Sequence, residues 1–294
     1  MMGAQKKKQK PRQNLAAGRP PTVQRPRSIT RKATKSLIGK HHVLEKRRIQ
    51  AAAKGDPAEE AAIVAEIEAL GGLKKYQEAS LQGQREDRGG DSSRVLLDWL
   101  KDSGVSSSVL GDDERLRMLE VGALSTDNAC SKSGLFDIER IDLNSQGEGI
   151  LQQDFMQRPL PEDESEKFDI ISLSLVLNYV PEARGRGDML RRTLEFLHAS
   201  PRYSKDSVKS LFPSLFLVLP APCIANSRYL DGEKLEAIMS SLGYTKVRSK
   251  ITQRLVYYLW KRGGTEGDVC QEFTKKEIRA GGSRNNFAIV LKRG

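Results

Sequence analysis

The residues with the clearest capacity for chemistry are a glycine and two acids, each closing a short apolar run. In Leu119-Glu120-Val121-Gly122-Ala123-Leu124 the run Met118–Val121 reads as a buried strand. Gly122 then lets the backbone bend sharply and approach a ligand that a side chain would block. Asp142 lies twenty residues further on, at the end of the run Ile138–Asp142, where a carboxylate can accept hydrogen bonds from both hydroxyls of a ribose. A third run, Ile150–Asp154, ends in an acid to which an adenine amino group can donate, with Phe155 as an apolar flank. Each residue also has a plain alternative: a turn glycine, or an aspartate capping its own loop. Placed on three successive strand ends, they outline a site for an adenosine.

The missing glycines narrow the choice of ligand. A dinucleotide site needs G-x-G-x-x-G, whose later glycines admit the pyrophosphate. Here Gly122 is followed by Ala123, Leu124, Ser125 and Thr126, and no G-x-x-x-x-G-K-S/T run exists for a nucleoside triphosphate. An adenosine cofactor without phosphates fits, and S-adenosylmethionine is the common one.

The elements that must position these residues follow an alternating pattern. Beyond the three runs above come Phe168–Leu175 and Leu215–Leu219, with amphipathic segments at Asp188–His198 and Asp231–Leu242. Buried strands alternating with helices imply an α/β, Rossmann-like, mostly parallel sheet. Two last strand-like runs, about Lys246–Trp260 and Asn286–Lys292, lack the helix expected between parallel neighbours, which suggests an antiparallel C-terminal strand pair. Upstream, three helices are expected. Asp56-Pro57 with Glu59 marks the start of one that carries Ile63, Ile67 and Leu70 on one face. The others span Leu73–Gln82 and Ser92–Lys101, the latter with Val95, Leu96 and Trp99 inward.

The chain's 294 residues carry a formal net charge of +11, and the charge is unevenly placed. Residues 1–54 hold sixteen Lys and Arg against the single acid Glu45, while residues 55–294 hold 33 basic and 37 acidic groups. The first segment is proline-rich and lacks apolar periodicity, as expected of a disordered basic arm, with a helix-friendly stretch from Lys40 to Lys54. Lys6-Lys7-Lys8 with Lys10 has the form of a nuclear or nucleolar address, and the same charges neutralise phosphates. The expected division is a basic tail over 1–54, a helical lead-in over 55–110 and a catalytic domain over 111–294. Three cysteines match no metal or disulfide framework, so no metal site is expected. The longest apolar run, Ile170–Val180, is eleven residues, short of the roughly 20 that span a bilayer, and no secretory signal is expected.

Taken together, "LEVGAL", "RIDLN", "QQDFM", "FDIISLSLVLNYVP" and "RGDMLRRTLEFL", with "GGLKKYQEAS" upstream and "SLFLVLPAPCIANSRYLDGEKLEAIMSSLGY" downstream, resemble the fungal adenine-N1 methyltransferases of large-subunit (25S) ribosomal RNA. The resemblance covers about Leu73 to Leu291. It implies a seven-stranded class I methyltransferase fold, S-adenosylmethionine as cofactor, large-subunit rRNA or a pre-ribosome as partner, and a nuclear, nucleolar site of action. It carries cofactor binding onto Gly122 and Asp142, while Asp154 follows from the general class I pattern.

One departure from other base methyltransferases bears on mechanism. Many enzymes that methylate an exocyclic amine place [DNS]-P-P-[YF] after the fourth strand, whereas this chain has Ser174-Leu175-Val176-Leu177-Asn178-Tyr179-Val180-Pro181. An amine must shed a proton, but adenine N1 presents an in-plane lone pair, so alignment carries the reaction. Asn178 is the candidate to hydrogen-bond the adenine edge and Tyr179 to stack on it. A turn cap and a core tyrosine are the alternatives. Arg184, Arg186, Arg191 and Arg192 are candidates for phosphate contacts or a solvated helix face. The competing functional reading is an S-adenosylmethionine-binding regulator acting through a protein partner; the basic arm favours the RNA enzyme, which is expected to be a monomer.

Overall fold

In the computed structural model, residues 31–72, 75, 78, 91–111, 114–145, 147–263 and 271–292 are described. The expected helix over Leu73–Gln82 falls largely outside them, as do residues 1–30 and Cys270. Seven strands form one sheet: β1 (Leu116–Val121), β2 (Phe136–Asp142), β3 (Leu151–Gln152), β4 (Ile170–Ser174), β5 (Ser214–Pro220), β6 (Tyr244–Ile251) and β7 (Leu255–Arg262). Their order is β3-β2-β1-β4-β5-β7-β6, parallel from β3 through β5, with β7 antiparallel to both β5 and β6. The order reverses between β1 and β4, which makes their carboxyl ends the crevice where such sheets take ligands.

Alternation along each strand feeds two cores. Leu119, Val121, Ile171, Leu173, Leu215, Leu217 and Leu219 pack on one face with the helices Ala183–Phe196 and Gly232–Ser241. Leu116, Met118, Ile170, Phe216 and Val218 face the other way, onto Leu96, Trp99 and Leu100 of the helix Ser93–Asp102. Covering on both faces is why β5 reads as an unbroken apolar run. Asp231 caps its helix by accepting from the Lys234 amide at 2.9 Å.

The antiparallel pair differs from the expected one. Both of its strands come from the first C-terminal run, which turns at Thr252, where the amide donates to the Leu255 carbonyl at 2.8 Å. The run Asn286–Lys292 adds no strand to the sheet. It lies along the start of the helix Ala183–Phe196, with the Val290 amide donating to the Ala183 carbonyl at 2.9 Å, and Phe287 and Ile289 go into the core.

Upstream, Arg31–Lys54 is one helix that pairs with the helix Pro57–Ala69. The irregular arm expected over the first forty residues is therefore corrected from Arg31 onward, and the helix expected from Lys40 to Lys54 is part of this longer one. Helix is stabilised there by tertiary burial: Leu44 and Ala51 pack against Ile63 and Ile67, as a hairpin of this size requires. Asp56 caps the second helix through the Glu59 amide at 2.9 Å, and Arg48 reaches Glu60 at 3.4 Å across the pair.

Candidate active site

Gly122 ends β1 with φ +73°, a conformation that disfavours any residue with a Cβ. Its amide donates to the Ile141 carbonyl at 2.8 Å, and that of Ala123 to the same oxygen at 3.1 Å, so the turn is held against the end of β2. On its other side is the loop after β4. A Cβ built on Gly122 would lie 2.6 Å from Val176 Cγ2. The bare glycine is thus what allows the β1 and β4 exits to close on one another.

Asp142 accepts the Asn144 amide on Oδ1 at 2.8 Å, and its carbonyl accepts the Gln153 amide at 2.9 Å. Asp154 likewise accepts the Met156 amide on Oδ1 at 2.8 Å. Both aspartates therefore brace their own turns at the carboxyl ends of β2 and β3. These bonds order the carboxylates at the strand ends and are the capping roles that the sequence left as alternatives. β3 itself is only two residues long, and Ile150 packs inward outside it.

Phe155 is a correction. It is 2% exposed, with its ring 5.3 Å from that of Phe196, and belongs to the core cluster beneath the sheet. A ring enclosed in that way offers no face to an adenine; the apolar residue after Asp154 serves packing.

The loop after β4 opens on Leu175 at φ +59°, a left-handed conformation rare outside glycine and concentrated at functional sites. The Leu175 amide donates to the Val218 carbonyl at 3.0 Å, and the Tyr179 amide to the Val176 carbonyl at 2.9 Å, which closes a tight turn. Leu177 anchors the turn in the core. Asn178 and Tyr179 ride on it half-buried. The Asn178 Oδ1 is buried with no hydrogen-bond partner among the described residues, an arrangement that costs about 1–3 kcal/mol unless a ligand donates to it.

Three further residues at this end were not singled out from sequence. Glu120, two positions before Gly122, accepts both Asn128 Nδ2 contacts at 2.9 and 3.0 Å and faces Arg140 Nε at 3.7 Å. Burial raises its carboxyl to about 7, against the opposing pull of Asn128 and Arg140. The signal was there: an acid inside the otherwise apolar run Met118–Val121. Asp91 accepts the Ala129 amide at 2.5 Å and the Ser93 amide at 2.9 Å, and Ser92 Oγ meets Ser174 Oγ at 2.8 Å. The helix Ser93–Asp102, expected to be a packing element, is thereby tied to the exits of both β1 and β4.

The arginine cluster divides. Arg184 alone is exposed, 3.7 Å from Asp188. Arg192 donates to the Phe155 and Arg158 carbonyls, Arg191 to the Lys292 carbonyl, and Arg186 is buried. His198 is buried between Glu164 and Asp169, and burial raises the Cys130 thiol and pushes that of Cys223 up to about 12, away from reactive thiolate. A cavity of about 490 Å³ lined by Arg117, Asp137, Arg202 and Tyr203 opens at the amino-terminal ends of β1 and β2, away from Gly122 and Asp142. Among the described residues no cluster of His, Cys, Asp and Glu could hold a metal, and no helix is long and apolar enough to cross a membrane.

The family described as 25S rRNA (adenine(2142)-N(1))-methyltransferase, Bmt2, matches residues 61–289, which take in every strand and both site loops. The chain belongs to the Bmt2 family. Two relatives agree with that membership. The 25S rRNA (adenine(2142)-N(1))-methyltransferase of Saccharomyces cerevisiae is 37% identical over 232 residues, 78% of this chain and 63% of that protein. The 25S rRNA adenine-N(1) methyltransferase of Schizosaccharomyces pombe is 39% identical over 256 residues, 86% of this chain and 89% of that protein. This Bmt2-family chain thus spans under two thirds of the first relative's length and most of the second's. Among solved structures, the 16S rRNA methylase RmtB is 14% identical, with a TM-score of 0.35, over 80% of this chain and 76% of that one. An O-methyltransferase family protein from Burkholderia thailandensis is 9% identical, with a TM-score of 0.43, over 81% and 75%. At those scores neither bears on the chemistry of the Bmt2-family chain, and its own strand order carries the fold.

Proposed function

We propose that this chain methylates N1 of an adenine in large-subunit rRNA, with S-adenosylmethionine as the methyl donor. The observation that carries the reading is the family match over residues 61–289, which includes the close approach of Gly122 to Val176 at the switch point. The residues present fit the cofactor. Gly122 makes the sharp left-handed turn at the end of β1 with no side chain on it, and Asp142 and Asp154 stand braced at the two neighbouring strand ends. Asp142 would hold the ribose hydroxyls and Asp154 the adenine amino group.

When bound, S-adenosylmethionine supplies a methyl on a sulfonium, which N1 takes with its in-plane lone pair as S-adenosylhomocysteine leaves and the methylated ring becomes cationic. The chain's part is alignment rather than proton removal, consistent with a β4 loop that has no catalytic base in it. Asn178 Oδ1, buried and without a partner among the described residues, accepts from the N6 amino group of the target adenine and so sets N1 in line. Tyr179 stacks on the base. In a duplex N1 faces its pairing partner, so the target adenine is unpaired or extruded when it binds.

The basic segment over residues 1–54 supplies RNA attachment and a nucleolar address, residues 55–110 form the lead-in and residues 111–294 the catalytic domain, and the chain acts as a monomer on rRNA or a pre-ribosome. The test is methyl transfer in vitro from labelled S-adenosylmethionine to 25S rRNA, with Asp142→Ala alongside. Wild-type transfer lost in the variant supports the reading. No transfer by the wild-type chain to naked rRNA or to pre-ribosomal particles overturns it.

A further inference from the structure

Arg186 sits in the first turn of the helix Ala183–Phe196, 9% exposed, with no ion pair among the described residues. That is an unfavourable place for a guanidinium. The positive end of the helix dipole repels it, and burial lowers it to about 10, which still leaves it protonated at neutral pH. Its three donations explain why it is held there. Nε donates to the Val180 carbonyl at 2.8 Å and Nη2 to the Pro181 carbonyl at 3.3 Å, both in the last residues of the loop that carries Asn178 and Tyr179. Nη1 donates to the Ala288 carbonyl at 2.7 Å, and the Arg186 Cζ lies 4.3 Å from the centroid of the Phe287 ring.

The partner segment is itself fixed. Ser227 Oγ donates to the Phe287 carbonyl at 2.5 Å, and the Phe287 amide donates to Asn285 Oδ1 at 3.0 Å. Gly187 allows the approach, since a Cβ there would lie 2.0 Å from the Val290 carbonyl oxygen. The C-terminal segment 285–291 is thus a brace between the stretch after β5 and the start of this helix, and Arg186 is the only described side chain that bonds the brace and both carbonyls of the β4 loop.

We infer that Arg186 is a positioning residue for the target base: its planar fork sets the exit of the β4 loop against the C-terminal brace and so fixes where Asn178 and Tyr179 meet the adenine. The inference rests on the proposed function. Lysine, with one compact ammonium, cannot make three divergent donations in one plane. The experiment compares full-length wild type, Arg186→Lys and Arg186→Gln for thermal melting, S-adenosylmethionine affinity, and kcat and KM on a 25S rRNA substrate. Both variants should retain cofactor affinity within about 3-fold while kcat falls on the order of 100-fold, the scale for reactants held about 1 Å out of line. If Arg186→Gln fails to fold, Arg186→Lys, which keeps the charge and most of the volume, decides alone. A folded variant with wild-type kcat overturns the inference, as does one in which cofactor affinity and kcat fall together in proportion to lost stability. An inactive wild type overturns the functional reading instead, so the two failures are distinguishable.

Discussion

Gly122 and Val176 are in such close apposition that a methyl group on the glycine would lie 2.6 Å from Val176 Cγ2, whereas Val176 Cβ stands 3.9 Å away. The end of β1 and the loop after β4 therefore share one packing surface. Substitutions at this contact itself should be felt on both sides of it.

Gly122→Ala should cost about 1–2 kcal/mol from its left-handed backbone alone, with a further loss from the clash. Adding Val176→Ala removes Cγ2 and should recover the clash portion but not the backbone portion. A double-mutant cycle on thermal stability and cofactor affinity checks this, since contacting residues couple. Strict additivity would show that the two loops do not touch.

Asn178→Ala removes an acceptor that satisfies nothing within the described protein. Stability should stay within about 1 kcal/mol of wild type while kcat falls roughly 10- to 100-fold, the value of one buried hydrogen bond to the base. Melting curves read beside single-turnover methylation decide it. A large loss of stability with activity per folded molecule unchanged would return Asn178 to a structural role.

Glu120 gives a pH dependence with a definite sign. Its folded carboxyl is raised to about 7 from an ordinary 4.5, so the folded state binds the proton more tightly than the unfolded chain. The stability this provides is full below about 4.5 and is lost as pH rises through about 7. Glu120→Gln should therefore gain melting temperature relative to wild type between pH 5 and pH 8, measured by calorimetry at matched ionic strength. Parallel curves for the two proteins would contradict it.

Much of this was legible in the sequence because it rests on short-range rules. The run Met118–Val121 followed by glycine could only be a strand end with a sharp turn, and Asp56-Pro57 with Glu59 marked a capped helix start. Phe155 was misread because an aromatic residue beside a strand-end acid looks the same whether it faces a ligand or Phe196, and only tertiary packing tells them apart. Asn286–Lys292 has the composition of a strand but no free sheet edge beside it, since β6 and β7 already extend the sheet past β5. Arg186 was invisible as a positioning residue because its acceptors are backbone carbonyls, one of them about a hundred residues away.

The basic segment gives a prediction separable from catalysis. Residues 1–30 hold eight Lys and Arg and no acid, whereas the helix Arg31–Lys54 packs on its neighbour. Deleting 1–30 should weaken rRNA binding and flatten its salt dependence, with cofactor affinity unchanged. Equal RNA affinity at all salt concentrations would assign RNA attachment to the folded domain.

The most direct measurement of the central claim is mass spectrometry of nucleosides from large-subunit rRNA, in cells lacking this chain and in the same cells given back wild type or Gly122→Arg. N1-methyladenosine should fall in its absence, return with wild type and not return with Gly122→Arg. Unchanged N1-methyladenosine in cells lacking the chain would contradict it.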